Sequence, residues 1–356
     1  MGINLLLLFV SSTLSLPLSP LLTLTPSLPL PLTCQSPEIL TCTVAMVNWD
    51  SIITNNTIVL PTGAILTMHN KTRVRGDITA VYGNTEGDRA LLTYHLNTMY
   101  GSVETSSGQE FRIETIENTN NVIWAEIDPM MMEDDDDVLD EEPLEPELPH
   151  MRTEELLAKG RVDITTMVEY TVSVYYTAGF RKTTADPDTF INQMISLTNE
   201  GYANSGVPIR VKLHCVLQSD IPDGLSSSIT LRLFTIRQAS LNHVRRSADA
   251  AILLVNKYNT SKSCGVNWFN SFRNGQTIGT VRKACALGYF SFGHEIAHGF
   301  GLAHDRRVAS QSSAPYAYGN IIVVNNDQEL LDFKQLFSSQ ENTDPSWHTA
   351  RTRRGG

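Results

Sequence analysis

Short runs of alternating apolar and polar residues, separated by turn residues, occupy the first part of the chain. Residues 57–60, 64–68 and 122–127 are examples, and residues 101–114 have the pattern of a hairpin. Alternation with a period of two and many β-branched residues is typical of strands that bury one face. The pattern predicts a small β-rich domain over residues 23–128. No catalytic constellation occurs there, so it is either a pro-domain or an accessory domain, and its position favours a pro-domain.

The pattern changes after residue 161. Strand-like apolar runs now alternate with stretches whose apolar residues recur every three or four positions, as on one face of a helix. The predicted elements are strands at 162–172, 209–217 and 248–255, helices at 187–206 and 231–244, and a short strand at 277–281. The run at 248–255 is continuously apolar, which is typical of a strand covered on both faces. This order of strands and helices predicts an α/β domain.

A strongly acidic segment lies between these two regions. Residues 133–147 contain ten carboxylates and no lysine or arginine, so they account for all but one unit of the net charge of −11. The folded remainder is therefore close to neutral, and no basic patch indicates a nucleic-acid partner. Like-charge repulsion and low hydrophobicity predict a disordered linker over residues 129–160 that is accessible to proteolysis. It is either a solvated spacer or a segment whose carboxylate keeps a zymogen latent by occupying a metal.

The N-terminus resembles a secretory signal. Residues 3–10 are apolar, too short to span a bilayer, and followed by a proline-rich stretch at 17–32 that excludes a long helix. We expect a signal peptide over residues 1–22 and a secreted protein. Glycosylation sequons at Asn55, Asn70 and Asn259 agree with the secretory route. Nothing in the sequence indicates a transmembrane segment or an oligomer.

The cysteines also bear on the compartment. There are five, so at least one is unpaired within this chain. Cys34 and Cys42 can pair with each other. Cys215 lies in a predicted strand, where we expect a buried thiol.

The strongest chemical pattern lies near the end of the second domain. Residues 294–304 read H-E-I-A-H-G-F-G-L-A-H. On a helix, His294 and His298 leave the same face one turn apart, and neutral imidazoles are good zinc ligands. Glu295 is placed to act as a general base on a water held by the metal. Gly301 can end the helix and turn the chain so that His304 returns as a third ligand. Chance histidines on an amphipathic helix would not produce this continuation.

This stretch resembles the active-site consensus of the metzincin metallopeptidases. Asp305 after the third histidine is similar to the adamalysin/reprolysin branch and to the peptidyl-Asp metallopeptidases. The resemblance is specific over residues 285–305 and looser over 160–320. It implies a catalytic domain over residues 161–320, with a twisted, mostly parallel sheet and a zinc-binding active-site helix. It also implies one catalytic Zn²⁺, with Asp305 and Gly301 shaping the fold around the ligands.

The resemblance further implies how a substrate binds. In these families an exposed edge strand before the zinc helix pairs with an extended peptide through backbone hydrogen bonds. We assign that strand to Thr277, Ile278, Gly279, Thr280 and Val281. Cys264 and Cys285 flank it, and in an oxidising compartment we expect a disulfide between them to fasten the strand to the start of the helix.

One feature of the metzincins is missing. They have a methionine-containing turn after the third histidine, whereas no methionine follows Met194 here. We interpret residues 321–356 as an atypical or truncated C-terminal tail. The leading hypothesis is a secreted zymogen of a zinc metalloendopeptidase that acts on proteins or peptides. The alternatives are a catalytically impaired, metal-binding relative that acts as an extracellular binding module, and an adhesion protein that uses its N-terminal β-domain.

Overall fold

Strands are the main elements of the described part of the chain, where they form two sheets. The computed structural model describes residues 20–26, 28–31, 34, 39–128, 138–139, 167–205, 207–240, 248–259, 263–268, 271, 277–287 and 290–300. Its strands are β1 (Leu22–Leu24), β2 (Ile39–Val47), β3 (Thr57–Val59), β4 (Ile65–Val74), β5 (Asp77–Gly83), β6 (Arg89–His95), β7 (Thr98–Glu104), β8 (Glu110–Thr115), β9 (Asn121–Ile127), β10 (Val138–Leu139), β11 (Val168–Tyr176), β12 (Ile209–Gln218), β13 (Ala250–Val255), β14 (Gly265–Trp268) and β15 (Thr277–Arg282). Its helices are α1 (Trp49–Thr54), α2 (Ala178–Thr183), α3 (Pro187–Asn204), α4 (Ser227–Ser240), α5 (Lys283–Ala286) and α6 (Ser291–Gly299).

The N-terminal sheet contains β1 to β9 in the order β1-β2-β9-β8-β7-β6-β5-β4-β3. Every neighbouring pair is antiparallel, including the predicted hairpin, in which Gly101 of β7 lies opposite Ile113 of β8. The strand alternation buries one set of side chains in a common core, as expected for a sheet with one covered face.

The first strand overlaps the end of the expected signal peptide. Leu22 of β1 lies opposite Val47 of β2, and Leu21 and Leu22 are 0% and 2% exposed. Removal of residues 1–22 would take these two side chains out of the core. The segment from Pro20 onwards therefore belongs to the sheet, and residues 1–19 lie outside the described part of the chain.

The second sheet has the order β10-β14-β15-β13-β11-β12. Strands β15, β13, β11 and β12 run parallel to one another, β14 is antiparallel to β15, and β10 is parallel to β14. This sheet is mixed, and the larger N-terminal sheet is antiparallel. The prediction of an α/β fold with a mostly parallel sheet is thus confirmed only in part, because the chain is richer in strands and in antiparallel pairing than expected.

Helix α3 lies between the two sheets. Asp186 caps its start by accepting from the backbone N–H groups of Asp188 and Thr189, and Pro187 occupies the first turn. The helix contacts β12 of one sheet and β5, β6 and β7 of the other. Most of its side chains are buried for this reason, including polar ones such as Gln193 at 0% exposure.

Two predicted elements have different ends in the structure. The strand predicted at 162–172 extends to Tyr176, because its apolar, β-branched pattern continues through the pairing of Tyr176 with Leu254. It begins at Val168 within the described residues, which do not include 162–166. The helix predicted at 231–244 begins earlier, at Ser227, because Ser226 caps it: its hydroxyl oxygen accepts from the Ile229 N–H. No helix of the described residues is both long and apolar enough to cross a membrane.

The core of the second sheet gives a stability test. Leu254 is 0% exposed in β13. We expect Leu254→Ala to lower the free energy of unfolding by about 2–5 kcal/mol, because it removes packed methyl groups and leaves a cavity. Ile236→Ala, on the exposed side of α4 at 65% exposure, is the control and should change it by less than about 0.5 kcal/mol. Equal shifts in urea denaturation would contradict the burial of β13.

Candidate metal centre

Helix α6 brings two of the predicted ligands together. The Nε2 atoms of His294 and His298 are 2.8 Å apart, and their ring centroids are 4.4 Å apart. His298 is 2% exposed, while His294 is half-buried. The spacing of four residues places both rings on one side of the helix, and their nitrogens point to a common position. This arrangement suits a shared proton or a shared cation.

Glu295 lies on the same helix but faces the neighbouring strand. Its side chain is fully buried. A Cβ built on Gly265, the first residue of β14, would overlap the Glu295 carboxylate. The glycine therefore allows β14 to approach the carboxylate directly, and any larger residue there would displace one of the two.

A buried amide also ties β14 to the helix. Asn267 is 0% exposed, and its Nδ2 donates to the main-chain carbonyl oxygen of Glu295 at 2.5 Å. On its other side Asn267 lies opposite Gly279 of β15, where a Cβ would come within 2.8 Å of the same Nδ2. Gly265 thus makes room for the Glu295 carboxylate, and Gly279 makes room for the amide that contacts the Glu295 main chain.

The two ends of α6 are fixed by tyrosines. The hydroxyl of Tyr202, on α3, donates to the carbonyl of Gly293 at 2.8 Å. The hydroxyl of Tyr170, on β11, donates to the Thr277 side chain at 2.8 Å, and a Cβ on Gly299 would overlap that threonine. Burial raises the pKa of both tyrosines well above the ordinary value, so both hydroxyls stay protonated and remain donors.

The structure contains the expected Cys264–Cys285 disulfide. Cys264 directly precedes β14 and Cys285 lies on α5, so the bond fastens β14 to the helical segment that leads into α6. Cys34 and Cys42 are also bonded to each other. Cys215 is the free cysteine, but it is half-buried, not buried as expected, and its thiol donates to the Ser173 hydroxyl at 3.3 Å.

The assignment of the substrate strand is wrong. Residues Thr277, Ile278, Gly279, Thr280 and Val281 form β15, which pairs with β13 on one side and β14 on the other and is buried. It is an interior strand. The strand beside Glu295 is β14, which lies further out in the sheet. Sequence reasoning missed it because β14 is four residues long; glycines within strand-like sequence, at 265 and 279, are the signal that could have found it.

The third predicted ligand cannot be placed with the other two. Gly301, His304 and Asp305 lie outside the described residues, as do the tail at 321–356 and all of the acidic linker at 129–160 except residues 138–139. Within the described ranges, no group of three or more histidine, cysteine or acidic side chains is arranged to hold a metal ion. The structure thus supplies two imidazole nitrogens and an adjacent carboxylate.

Comparison with known proteins shows which family the second half of the chain resembles. Residues 166–328 match Reprolysin_5, the profile of metallo-peptidase family M12. This segment is similar to the metallopeptidase domains of that family, and we call it the metallopeptidase domain. The match covers β11 to α6 and the motif at 294–304, so the resemblance read from the sequence is confirmed.

Two curated relatives of the metallopeptidase domain are both named peptidyl-Asp metalloendopeptidase. A peptidyl-Asp metalloendopeptidase of Stenotrophomonas maltophilia (strain R551-3) is 31% identical over 141 residues, which are 37% of this chain and 32% of that protein. One of Xanthomonas campestris pv. campestris is 27% identical over 135 residues, with the same coverage of 37% and 32%. The chain spans about a third of the length of these curated relatives.

A solved structure is also similar. It is metalloproteinase-II from Bacteroides fragilis, with a TM-score of 0.47 and 12% identity over 78% of this chain and 90% of that chain. That likeness is too distant to support a further conclusion.

The contact between β14 and α6 can be tested by removing the Asn267 amide. We expect Asn267→Ala to lower the free energy of unfolding by about 1–3 kcal/mol, because it removes a buried donor and leaves space around Gly279. Asn56→Ala is the control, since Asn56 is exposed in the N-terminal half. Guanidinium denaturation followed by tryptophan fluorescence measures both. If the two variants unfold at the same denaturant concentration, Asn267 does not hold the helix.

Proposed function

We propose that this chain is a zinc-dependent metalloendopeptidase, made as a secreted zymogen, in which Glu295 is the general base. The observation that carries the proposal is the convergence of the His294 and His298 Nε2 atoms, 2.8 Å apart, with Glu295 on the same helix. The match to the metallopeptidase family and the names of the relatives support it.

The donor set fits zinc. Two imidazole nitrogens one helical turn apart are a common part of such sites, and a third histidine would leave one position open for water or substrate. We propose His304 as that third ligand, with Gly301 providing the turn and Asp305 fixing the turn's conformation. Zinc bound there supplies Lewis acidity that polarises the peptide carbonyl and makes water more acidic.

Glu295 carries the proton in this proposal. Its carboxylate accepts a proton from the attacking water and passes it to the nitrogen of the leaving amine, so no covalent enzyme intermediate is required. Gly265 and Asn267 position this carboxylate, the first by close contact and the second through the main-chain carbonyl of Glu295. A carboxylate held in this way needs little reorganisation during the reaction.

We propose β14, in place of β15, as the strand that an extended substrate joins. It lies beside Glu295 and its outer edge is paired with β10, where Val138 lies opposite Asn267. Because β10 belongs to the acidic linker, this pairing supports latency: the linker covers the edge that a substrate would use. Cleavage of the linker would then uncover β14.

Secretion and the alternative function rest on other observations. Two disulfides favour an oxidising compartment, which agrees with a secreted protein. The absence of any methionine after Met194 favours the second candidate, a metal-binding relative that does not hydrolyse peptides. The buried, positioned Glu295 favours the enzyme, since a binding module has no need of a general base.

The proposal predicts a separation of metal binding from catalysis. With the linker cut, the purified protein should contain about one zinc per chain and digest denatured casein. Glu295→Gln should keep the zinc but reduce the rate by a factor of about 10²–10⁴, which is the usual contribution of a general base. Glu126→Gln, on the surface of the N-terminal sheet, is the matched control and should leave both unchanged.

Zinc content by mass spectrometry and turnover by released peptides decide between the candidates. One zinc per chain without turnover in the unmutated protein would support the binding module. Full activity in the Glu295→Gln variant would rule out the proposed mechanism.

A further inference from the structure

The N-terminal sheet and the metallopeptidase domain share a buried polar interface. We infer that the N-terminal sheet stays bound to the metallopeptidase domain, as a separate non-covalent subunit, after the segment at 129–166 is cut. This inference goes beyond the proposed hydrolysis and does not require the chain to be active. It rests on three groups of contacts, which lie along α3 and α5.

The first group is centred on Asp77, at the start of β5. This carboxylate is 3% exposed and accepts from the Thr189 hydroxyl at 3.2 Å and from the Asn192 amide, both on α3. His95 of the N-terminal sheet lies 3.1 Å from it. A buried carboxylate is costly without such donors, and two of them come from the other half of the chain.

The second group is an ion pair between Glu114 of β8 and Lys283 of α5. The two side chains are 6% and 5% exposed. Arg112, the neighbour of Glu114 on the same face of β8, donates to the carbonyl of Ala284 at 2.8 Å. Removing one partner of a buried pair leaves an uncompensated charge, which is much more costly than losing an exposed pair. These contacts hold α5, the helix that carries Cys285.

The third group combines an apolar contact with two hydrogen bonds. Tyr100 of β7 is fully buried within the hydrophobic core of the metallopeptidase domain, with its ring edge-on to Phe190 at a centroid distance of 5.2 Å. Its hydroxyl accepts from the Asp186 N–H at 3.2 Å. Nearby, the Gln193 amide donates to the carbonyl of Leu91 at 2.9 Å. The core of one half is therefore completed by a side chain from the other.

These contacts resemble the inside of a domain more than a surface touched by a tethered segment. Separation would expose Tyr100 and its apolar surroundings and would remove partners from Asp77 and from Lys283. Each disulfide joins two cysteines of the same half: Cys34–Cys42 lies in the N-terminal part and Cys264–Cys285 in the metallopeptidase domain. Neither would join the two halves after a cut, so the buried interface must hold them.

The test uses the full chain with a specific protease site inserted in the linker. Two versions carry the site within 129–137 or within 141–150, so that β10 stays with either the C-terminal or the N-terminal fragment. The Glu295→Gln background prevents self-digestion. After complete cutting, size-exclusion chromatography with light scattering at micromolar concentration and about 0.5 M salt gives the mass of the eluting species.

We expect both versions to elute as one species with the mass of the whole chain. Separate fragments in both versions would overturn the inference. The inference would also be overturned if the fragments stayed together only in the version that is cut after β10. In that case the pairing of β10 with β14 would be the sole link between them.

Substitution of Glu114 tests whether the fragments associate through this interface. Glu114→Ala should weaken association of the cut fragments by roughly a hundredfold, since Lys283 loses its buried partner. The matched control is Glu126→Ala, whose carboxylate accepts from the Gln109 amide on the exposed part of the sheet. If the uncut Glu114→Ala variant does not fold, the Gln193→Ala variant is used in its place, because it removes a single hydrogen bond of the interface. An unchanged dissociation constant in the folded variant would contradict the interface.

Discussion

The close packing of helix α6 against β14 and β15 is the constraint on which the rest of the structure depends. Gly265 lets the strand reach the Glu295 carboxylate, and Gly299 lets the end of the helix reach Thr277. The Asn267 amide and the Tyr202 hydroxyl then fix the helix from two sides. With α6 held in this way, the spacing of four residues is sufficient to bring the two imidazole nitrogens to one position.

This packing extends outwards to the N-terminal sheet. The disulfide joins β14 to α5, and α5 is held by the buried pair of Glu114 and Lys283. Helix α3 provides a second connection, because it contacts the N-terminal sheet on one side and carries Tyr202 on the other. The candidate metal centre is therefore supported by residues from both halves of the chain, although His294, Glu295 and His298 all lie within five residues.

The sequence predicts the local geometry of the two histidines, but it does not predict the order of the strands in the sheet. The helix spacing of His294 and His298 depends only on local geometry, so the motif predicted their convergence correctly. The place of residues 277–281 in the sheet depends on β14, a strand formed by only four residues, and no local pattern distinguishes an interior strand from an edge. For the same reason no local pattern predicts that Tyr100 completes the core beside Phe190, a residue distant from it in the sequence.

In the N-terminal, β-rich part the sequence also predicts some features and not others. Alternation predicted the strands around 57–68 and 101–127, because each strand buries one face. The signal peptide expected at residues 1–22 stays a prediction: the apolar, proline-rich stretch before residue 32 has the composition of a processed leader, whereas Leu21 and Leu22 are buried in the sheet. Composition does not distinguish these two uses of leucine.

X-ray absorption at the zinc edge of the purified protein tests the central claim most directly. We predict one bound zinc with nitrogen or oxygen neighbours at about 2.0–2.1 Å and the outer-shell scattering of imidazole rings, both weakened when His298 is replaced by alanine. Sulfur neighbours at about 2.3 Å, or an unchanged spectrum in the His298 variant, would contradict it.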